Sequence, residues 1–528
     1  MLYLLIMNKA AIIIAISMLA SRVLGIFREM LLARAAGVST EKNALDLAFM
    51  IPDILNHIVS TGFLSIIFIP IFTGYLVQKK EEAAWRFFSN ILNTLGLFLL
   101  FLIIPSFIWM RELIELFTVA DISPELLERA TYFGRLILPA QLFIFAGTFL
   151  VAVQHTRKQF LIPSLTGVIY NAAIIVGGVL FSDFGLEGFA WGVPIGAFVG
   201  FFVLQILGAY RGKIQYFFYI NPKHPDIIRY LKMMFPMSLG VGSMFALEFV
   251  IRSFGGHFGS SGISSLNYAY RIMYTLVAVF GFSVGVASYP DMARLVKENH
   301  IDELNKKIWK SISRMFCILI PTVVAVWALS FPAVRILFER GAFTRETTEA
   351  ISEILRWYLP VSLGLCLQAV LVRSFYAAEK MWTPTLLNTG IFALTIPAYL
   401  FLGPVLGIKS VPIVGASGAI AQVIAMIVLW AKNNGTNGMK EALSNIGRAV
   451  VSLALMIIVA IFLDSFSSDF IRSTSLLTLI SYSIIVGVFL FTLTLVIQKS
   501  LGSSDAKDIL NELLGKVLRK LHLKKNTI

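Results

Sequence analysis

Windows of about 20 residues with almost no charge recur along this chain of 528 residues, and a helix of that length crosses the ~30 Å hydrocarbon core of a bilayer. No other feature constrains the chain as much. Without water at that depth, main-chain N–H and C=O groups must be satisfied inside the protein, so each window is predicted to be an α-helix. Only 14% of the residues are charged and 57% are hydrophobic, whereas a soluble domain has roughly 25% charged residues. The expected fold class is all-α: a polytopic membrane protein of about fourteen transmembrane helices. The first apolar run lacks a small-residue cleavage site and continues into a full span, so it reads as a membrane helix rather than a cleaved leader.

The formal net charge of +14 is distributed as a membrane protein would distribute it. Lys79, Lys80 and Arg86, then Arg157 and Lys158, then 211–232, then 294–310, then Lys432 and Lys440 supply basic residues to alternate loops. Intervening loops such as "TVADISPELLE", "SDFGLEG" and "LDSFSSDF" are acidic or nearly neutral. Excess Lys and Arg marks the cytoplasmic side, which puts both termini in the cytoplasm and requires an even number of spans. No nucleic-acid partner is expected. Cys317 and Cys366 lie in apolar segments, and neither a disulfide framework nor a metal-ligand spacing is present. The sequence contains no Walker A, HExxH or suitably placed GxSxG motif, so neither a cofactor nor bond-breaking chemistry is expected.

The chain repeats itself. "RLILPAQL" from Arg135 matches "RWYLPVSL" from Arg356, and "IPSL" from Ile162 matches "TPTL" from Thr383; both offsets are 221 residues. Pro70 and Pro290 keep nearly that spacing, and "GLEGFAWG" from Gly185 echoes "GASGAIAQ" from Gly415. The repeat predicts a six-helix lobe at 1–215 and a second at 225–432, in the same orientation because the unit has an even number of spans. A terminal pair at 445–498 stands outside the repeat. Residues 500–528 read as a basic amphipathic cytoplasmic helix, with Lys516, Arg519, Lys520, Lys524 and Lys525 positioned to rest on anionic lipid.

Several polar residues lie inside the spans. In the second span Asn43, Asp46, Asp53, His57 and Thr61 fall within about 80° on a helix turning ~100° per residue, with Asn56 to one side and Pro52 expected to bend the helix. The first span carries Arg22, Arg28 and Glu29, the seventh Glu248 and Arg252, and the eighth Arg271. Charges at membrane depth face the protein interior or a hydrated cavity. Glu248 with Arg252 also fits a simple intrahelical pair, Asp46 and Asp53 also fit solvation near the interfaces, and His57 alone fits a satisfied interior histidine. Taken together, the arginines favour an anionic, phosphorylated ligand, because a guanidinium fork suits phosphate. Arg22, Arg28, Arg271, Asn43, Asn56, His57 and Arg252 are the candidate substrate-binding residues. Glu29, Asp46, Asp53 and Glu248 are the candidate coupling or gating residues. On the residues alone, a transporter of an anionic, phosphorylated ligand is favoured over an ion-coupled cation exporter, which would show the reverse charge balance, and over a scaffold, which has no need of a polar stripe.

At these positions the chain resembles a family. "SRVLGIFREMLLARAAG" is similar to the first-helix signature SRxLGxxRDxxxAxxFG of the MurJ/MviN lipid II flippases, within the multidrug/oligosaccharidyl-lipid/polysaccharide exporter superfamily. "FMIPDILNHIVSTGFLSIIFIPIF", "LNYAYRIMYTLVAVFGFSVGVASYP", "LFERGAFT" and "FYAAEKMWTPTLLN" resemble later segments of the family, in order, over about 9–432. The resemblance implies two six-helix lobes plus a terminal pair, and outward movement of lipid II, the undecaprenyl-pyrophosphate-linked peptidoglycan precursor, across the bacterial inner membrane. O-antigen or capsule units are the alternative cargo. It also implies roles for Arg22, Arg28 and Arg271 around the pyrophosphate and sugar end, contact with membrane lipids, and the peptidoglycan-synthesis machinery as a candidate protein partner. The sequence departs from the family pattern where Glu29 replaces an Asp, Asn43 an Asp, Asn56 and His57 an Arg-rich pair, Thr61 a Glu, and Tyr270 an Asp.

Overall fold

The computed structural model describes residues 2–59, 67–119, 122–157, 159–211, 214–259 and 261–512. Among these the secondary structure is helical, without strands. Ten segments are long and apolar enough to span a membrane. One of them, Trp382–Asn434, is a hairpin of two helices, Trp382–Leu406 and Ser410–Asn434. The helices Leu2–Ala36, then Thr40–Ala48, Met50–Val59 and Ile69–Val77, then Pro225–Met244 with Ala246–Phe254, occupy the places where the hydropathy pattern predicts the first, second and seventh spans. The protein is an all-α, multi-pass membrane protein.

The spans are not uniform rods. The second is interrupted at Phe49, between Thr40–Ala48 and Met50–Val59. The bend predicted at Pro52 thus falls one turn earlier, because the proline has no N–H to offer Ala48. The seventh is interrupted at Phe245, between Pro225–Met244 and Ala246–Phe254. π-Helical turns at Ala197–Val203 and Val277–Phe282 loosen the sixth and eighth.

The chain forms two compact units. The first is Met1–Asn267 with Phe338–Thr347; the second is Tyr268–Leu337 with Thr348–Ile528. This division does not follow the sequence repeat, since the seventh span is counted with the first unit. In the first unit Leu161–Leu180 packs on Glu187–Gly196 through glycines. A Cβ on Gly177 would sit 2.4 Å from the Gly188 carbonyl oxygen, and one on Gly192 2.5 Å from the Ile174 Cα. Small residues give this contact its closeness where lipid offers no hydrophobic drive, and they account for Gly188 and Gly192 of "GLEGFAWG". An aromatic cluster of Phe68, Phe72, Trp85, Phe88 and Phe149 fills the core between the second, third and fourth spans.

The loop at 338–347 docks on the turn between the first two spans. The Ala342 N–H donates to the Arg34 carbonyl at 3.0 Å. Gly37 (φ +54°) and Gly341 (φ +58°) are left-handed, and added Cβ atoms would lie 2.3 Å from the Ala342 oxygen and 2.4 Å from the Arg34 oxygen. Only glycine fits both demands.

In the second unit Ile301–Ala328 is the post to which the terminal helices Met439–Ser473 and Leu476–Ser500 are fastened. Val324, Ala328, Met456, Ala460 and Leu490 form the apolar seam. At one end Arg356 donates to Ser330 Oγ and to Asp464 at 2.8 Å, and Arg335 donates to the carbonyls of Ile471 and Thr474. At the other end Asp505, 1% exposed, receives Ser313 Oγ and Asn445 Nδ2 and lies 3.3 Å from Lys310 Nζ. The apolar face of the tail as far as residue 512 is therefore covered by protein: Ala506, Ile509 and Leu510 pack on Cys317 and Leu495. The tail lysines and Arg519 lie outside the described residues.

Each unit also contains a buried glutamine pair. Gln154 Nε2 donates to Gln205 Oε1 at 2.9 Å, and Gln205 Nε2 donates to Thr166 Oγ1 at 2.8 Å. Gln368 Nε2 donates to Gln422 Oε1 at 3.0 Å, and Gln422 Nε2 reaches the Asn388 carbonyl at 3.4 Å. The first pair joins the fourth and sixth spans and the second joins the tenth and twelfth, the equivalents in the repeat.

Candidate substrate and coupling site

The first span is positioned by the fifth. Asn171 Nδ2 approaches the Ser21 carbonyl at 3.4 Å, Ser164 Oγ bonds Ser17 Oγ at 3.1 Å, and Gly167 gives Ser21 room to approach. On the helix so placed Arg22 is exposed. Arg28 donates through Nε at 3.2 Å and Nη2 at 2.9 Å to Glu29 Oε1. Glu29 is 6% exposed. Glu29 thus presents a buried carboxylate that holds a half-buried guanidinium in one orientation, and that guanidinium keeps donors for a second anion.

The stripe on the second span is a row of ion pairs. Asp46 accepts from Lys42 Nζ at 2.5 Å, and both side chains are almost wholly buried. Lys42 was not among the expected site residues, although it lies one helical turn from Asp46. Lower on the stripe, Arg252 bridges two carboxylates: Nη1 to Asp53 Oδ2 at 2.8 Å and Nη2 to Glu248 Oε1 at 2.8 Å. The intrahelical reading of Glu248 and Arg252 is therefore correct but incomplete, because Asp53 ties the pair to another span. His57 stacks on Phe245 with ring centroids 4.0 Å apart, beside the interruption of the seventh span. Asn56 is half-buried on the same turn as His57. Thr61 lies outside the described residues.

Asn43 has a structural task. It is fully buried, and its Oδ1 accepts the Ser264 N–H at 2.8 Å, capping the first turn of Gly262–Leu276. In the second unit Arg271 is partly buried and its carbonyl accepts from Thr275 Oγ1. Tyr270, 4% exposed, stacks on Tyr274 and meets Tyr358 edge-on. A phenol held among aromatic rings occupies the place where the family pattern has a carboxylate.

In the first unit Lys42, Arg28 and Arg252 each meet a carboxylate, while Arg22 stays exposed on its helix. Among the described residues no cluster of three His, Cys, Asp or Glu is placed to hold a metal ion. Among the described residues the arrangement sets guanidinium groups against carboxylates, and guanidinium groups suit oxyanions.

Residues 32–481 match the family model described as "Lipid II flippase MurJ". The lipid II flippase MurJ of Burkholderia cenocepacia is 26% identical over 412 residues, covering 76% of this chain and 77% of that protein. A lipid II flippase MurJ of Thermosipho africanus is 27% identical over 426 residues, 80% of this chain and 84% of that protein. Among solved structures, a lipid II flippase MurJ in an inward closed conformation superposes with a TM-score of 0.75 at 24% identity, covering 92% of this chain and 98% of that one. An inward-facing multidrug resistance MATE family transporter follows at a TM-score of 0.65 and 18% identity, covering 83% and 98%.

Proposed function

The chain belongs to the MurJ lipid II flippase family, a family of transporters rather than enzymes, and from that premise we propose how it moves lipid II from the cytoplasmic to the outer leaflet of the inner membrane. The headgroup enters a hydrated cavity open to the cytoplasm, and its pyrophosphate is met by Arg22, Arg28 and Arg271. The lobes, 1–215 and 225–432, then rock to open the other side. The observation that carries this reading is the Arg28–Glu29 pair with Arg22 exposed two turns earlier: cations at membrane depth, one of them pre-oriented by a buried carboxylate.

In this scheme Glu29 holds Arg28 until phosphate competes for it. Asp53 and Glu248 hold Arg252 in the same way, so Arg252 exchanges partners as the sugar-phosphate end passes, with Asn56 and His57 flanking it. Asp46 is neutralised by Lys42 and keeps the upper stripe rigid. The undecaprenyl tail stays in lipid along the terminal helices, whose outward faces carry Leu455, Ile458, Phe462, Leu477, Ile485 and Val488. Both termini lie in the cytoplasm, where the basic loops gather. The peptidoglycan-synthesis machinery is a protein partner on this scheme.

The test is depletion of the protein in its bacterium, followed by identification of the lipid-linked precursor that builds up in the cytoplasmic leaflet. Accumulation of lipid II is expected. Accumulation of an O-antigen or capsule precursor in its place would reassign the cargo.

A further inference from the structure

Residues 214–221 run as an extended strap along the third span, Glu81–Ile108. Side chains of that helix bind the strap's main chain as a neighbouring strand would. Phe217 N–H donates to Ser89 Oγ at 3.0 Å, and Asn221 N–H donates to Asn90 Oδ1 at 2.6 Å. Asn90 Nδ2 returns a bond to the Asn221 carbonyl at 3.0 Å, and Asn93 Nδ2 reaches the Tyr219 carbonyl at 3.2 Å. This explains Ser89, Asn90 and Asn93 in the uncharged part of the helix: they satisfy a main chain that has no helix of its own.

The register fixes the depth of the strap. Between Arg86 and Arg111 the third span has no charged residue, and the ~20 residues needed for the hydrocarbon core fit within that stretch. Ser89, Asn90 and Asn93 occupy its first turns, so the strap lies at the boundary between headgroups and acyl chains. From Tyr216 onward exposure alternates. Tyr216, Phe218 and Ile220 are 55%, 86% and 42% exposed, while Phe217, Tyr219 and Asn221 are partly covered. The ends of the strap are basic: 75–86 and 223–232 together hold six Lys or Arg against three Asp or Glu. Tyr75 Oη donates to Asp226, closing the two ends together.

We propose that this strap is a lipid-binding element. Tyr216, Phe218 and Ile220 insert into the leaflet at the interface, and Arg86, Lys223 and Arg229 draw anionic phospholipid headgroups to it. Aromatic side chains favour this layer, and basic residues beside it are drawn to an anionic surface. The outward main-chain groups of the strap meet water and headgroup phosphates there, which they could not do in the hydrocarbon core.

The test places single nitroxide labels at Tyr216→Cys, Phe217→Cys, Phe218→Cys, Tyr219→Cys and Ile220→Cys of the full chain in nanodiscs. The native Cys317 and Cys366 are buried, and wild type treated with the label sets the background. Collisions with oxygen and with a water-soluble nickel chelate are then compared. Positions 216, 218 and 220 are expected to be reached by oxygen and shielded several-fold from nickel, with 217 and 219 low to both. Replacing phosphatidylcholine with phosphatidylglycerol should increase the shielding at 218, and Arg86→Gln with Lys223→Gln should abolish that increase. Free access of nickel at 218 in both lipids would overturn the proposal and leave the open edge for a protein strand. A conservative Phe218→Trp variant, read as a difference from wild type, covers the case where labelling disturbs folding: its extra fluorescence should be quenched by lipids brominated near the headgroup, and absence of quenching counts against lipid insertion.

Discussion

Arg252 and Asp53, on the seventh and second spans, are joined by a 2.8 Å ion pair, and the same guanidinium holds Glu248 one turn back along its own helix. The guanidinium is nearly buried, with 8% of its side chain exposed. Removing one partner of a buried pair costs about 3–5 kcal/mol, while removing all the charge together costs far less. Arg252→Ala should therefore lower the unfolding temperature in detergent sharply. The neutral triple variant Arg252→Met, Asp53→Asn, Glu248→Gln should recover most of that loss. If the triple variant is stable but does not transport, the network serves transport; if it transports normally, the network serves folding alone.

Arg22→Ala, Arg28→Ala and Arg271→Ala are each expected to abolish or severely reduce transport. Arg22 is exposed, so its alanine variant should remain within about 0.5 kcal/mol of wild-type stability. Lysine at each position should give intermediate activity, since it keeps the charge and loses the planar fork. Complementation of a depleted strain at matched expression is the readout. Growth supported by all three alanine variants would end the assignment of these residues.

Gly37→Ala and Gly341→Ala should both destabilise the first unit, by about 1–3 kcal/mol from left-handed backbone strain alone, and by more from the clash with the facing carbonyl. Gly390 offers a control, because a Cβ there meets nothing within 4 Å, and Gly390→Ala in a helix should be neutral or slightly stabilising. Thermal unfolding of the three purified variants separates the cases.

Reporter fusions after Lys80 and Asn434 are expected to read cytoplasm, and those after Ser123 and Gly259 the other side of the membrane. Two adjacent loops reading the opposite way would break the orientation argument.

Transport should follow membrane potential or a proton gradient more than Na⁺. The eleventh and twelfth spans, Trp382–Asn434, contain no Asp or Glu, so a Na⁺ site there would lack a carboxylate to offset its charge. Each elementary charge carried across 100 mV is worth about 2.3 kcal/mol, and pyrophosphate supplies such charge. Proteoliposomes with imposed gradients decide the matter: flipping driven by Na⁺ alone, indifferent to potential and ΔpH, would contradict the expectation.

What the sequence revealed follows from the range of the interactions involved. Spans are local in sequence, so hydropathy alone locates them, and the stripe from Asp46 to His57 is legible because helical spacing is local too. Lys42 belonged to the same pattern one turn from Asp46, but a lysine at a span's end reads as a solvated terminus, and only packing makes it 1% exposed. Asn90 and Asn93 give no hint of their partners 124 to 131 residues away. Asp505 finds Ser313 across 192 residues, and Gln154 finds Gln205 across 51. A polar side chain in an apolar helix announces that it has a partner; which partner is a property of the tertiary fold. Asn43 carries a second task that its place on the polar stripe did not announce, since its oxygen accepts the Ser264 N–H at a helix start.

The docking of 338–347 on Arg34 and Gly37 also has a mechanical consequence. The backbone passes from one unit to the other after 267, returns after 337, and leaves again after 347. Two bodies joined by one flexible link keep nearly every rotation; each added link removes some of that freedom. Here any relative displacement must be absorbed at three tethers at once, and a single cut in the backbone at any one of them leaves the other two intact. The "RGAFT" segment is in this sense a stirrup, held by Gly37 and Gly341, that narrows the set of motions available to the molecule.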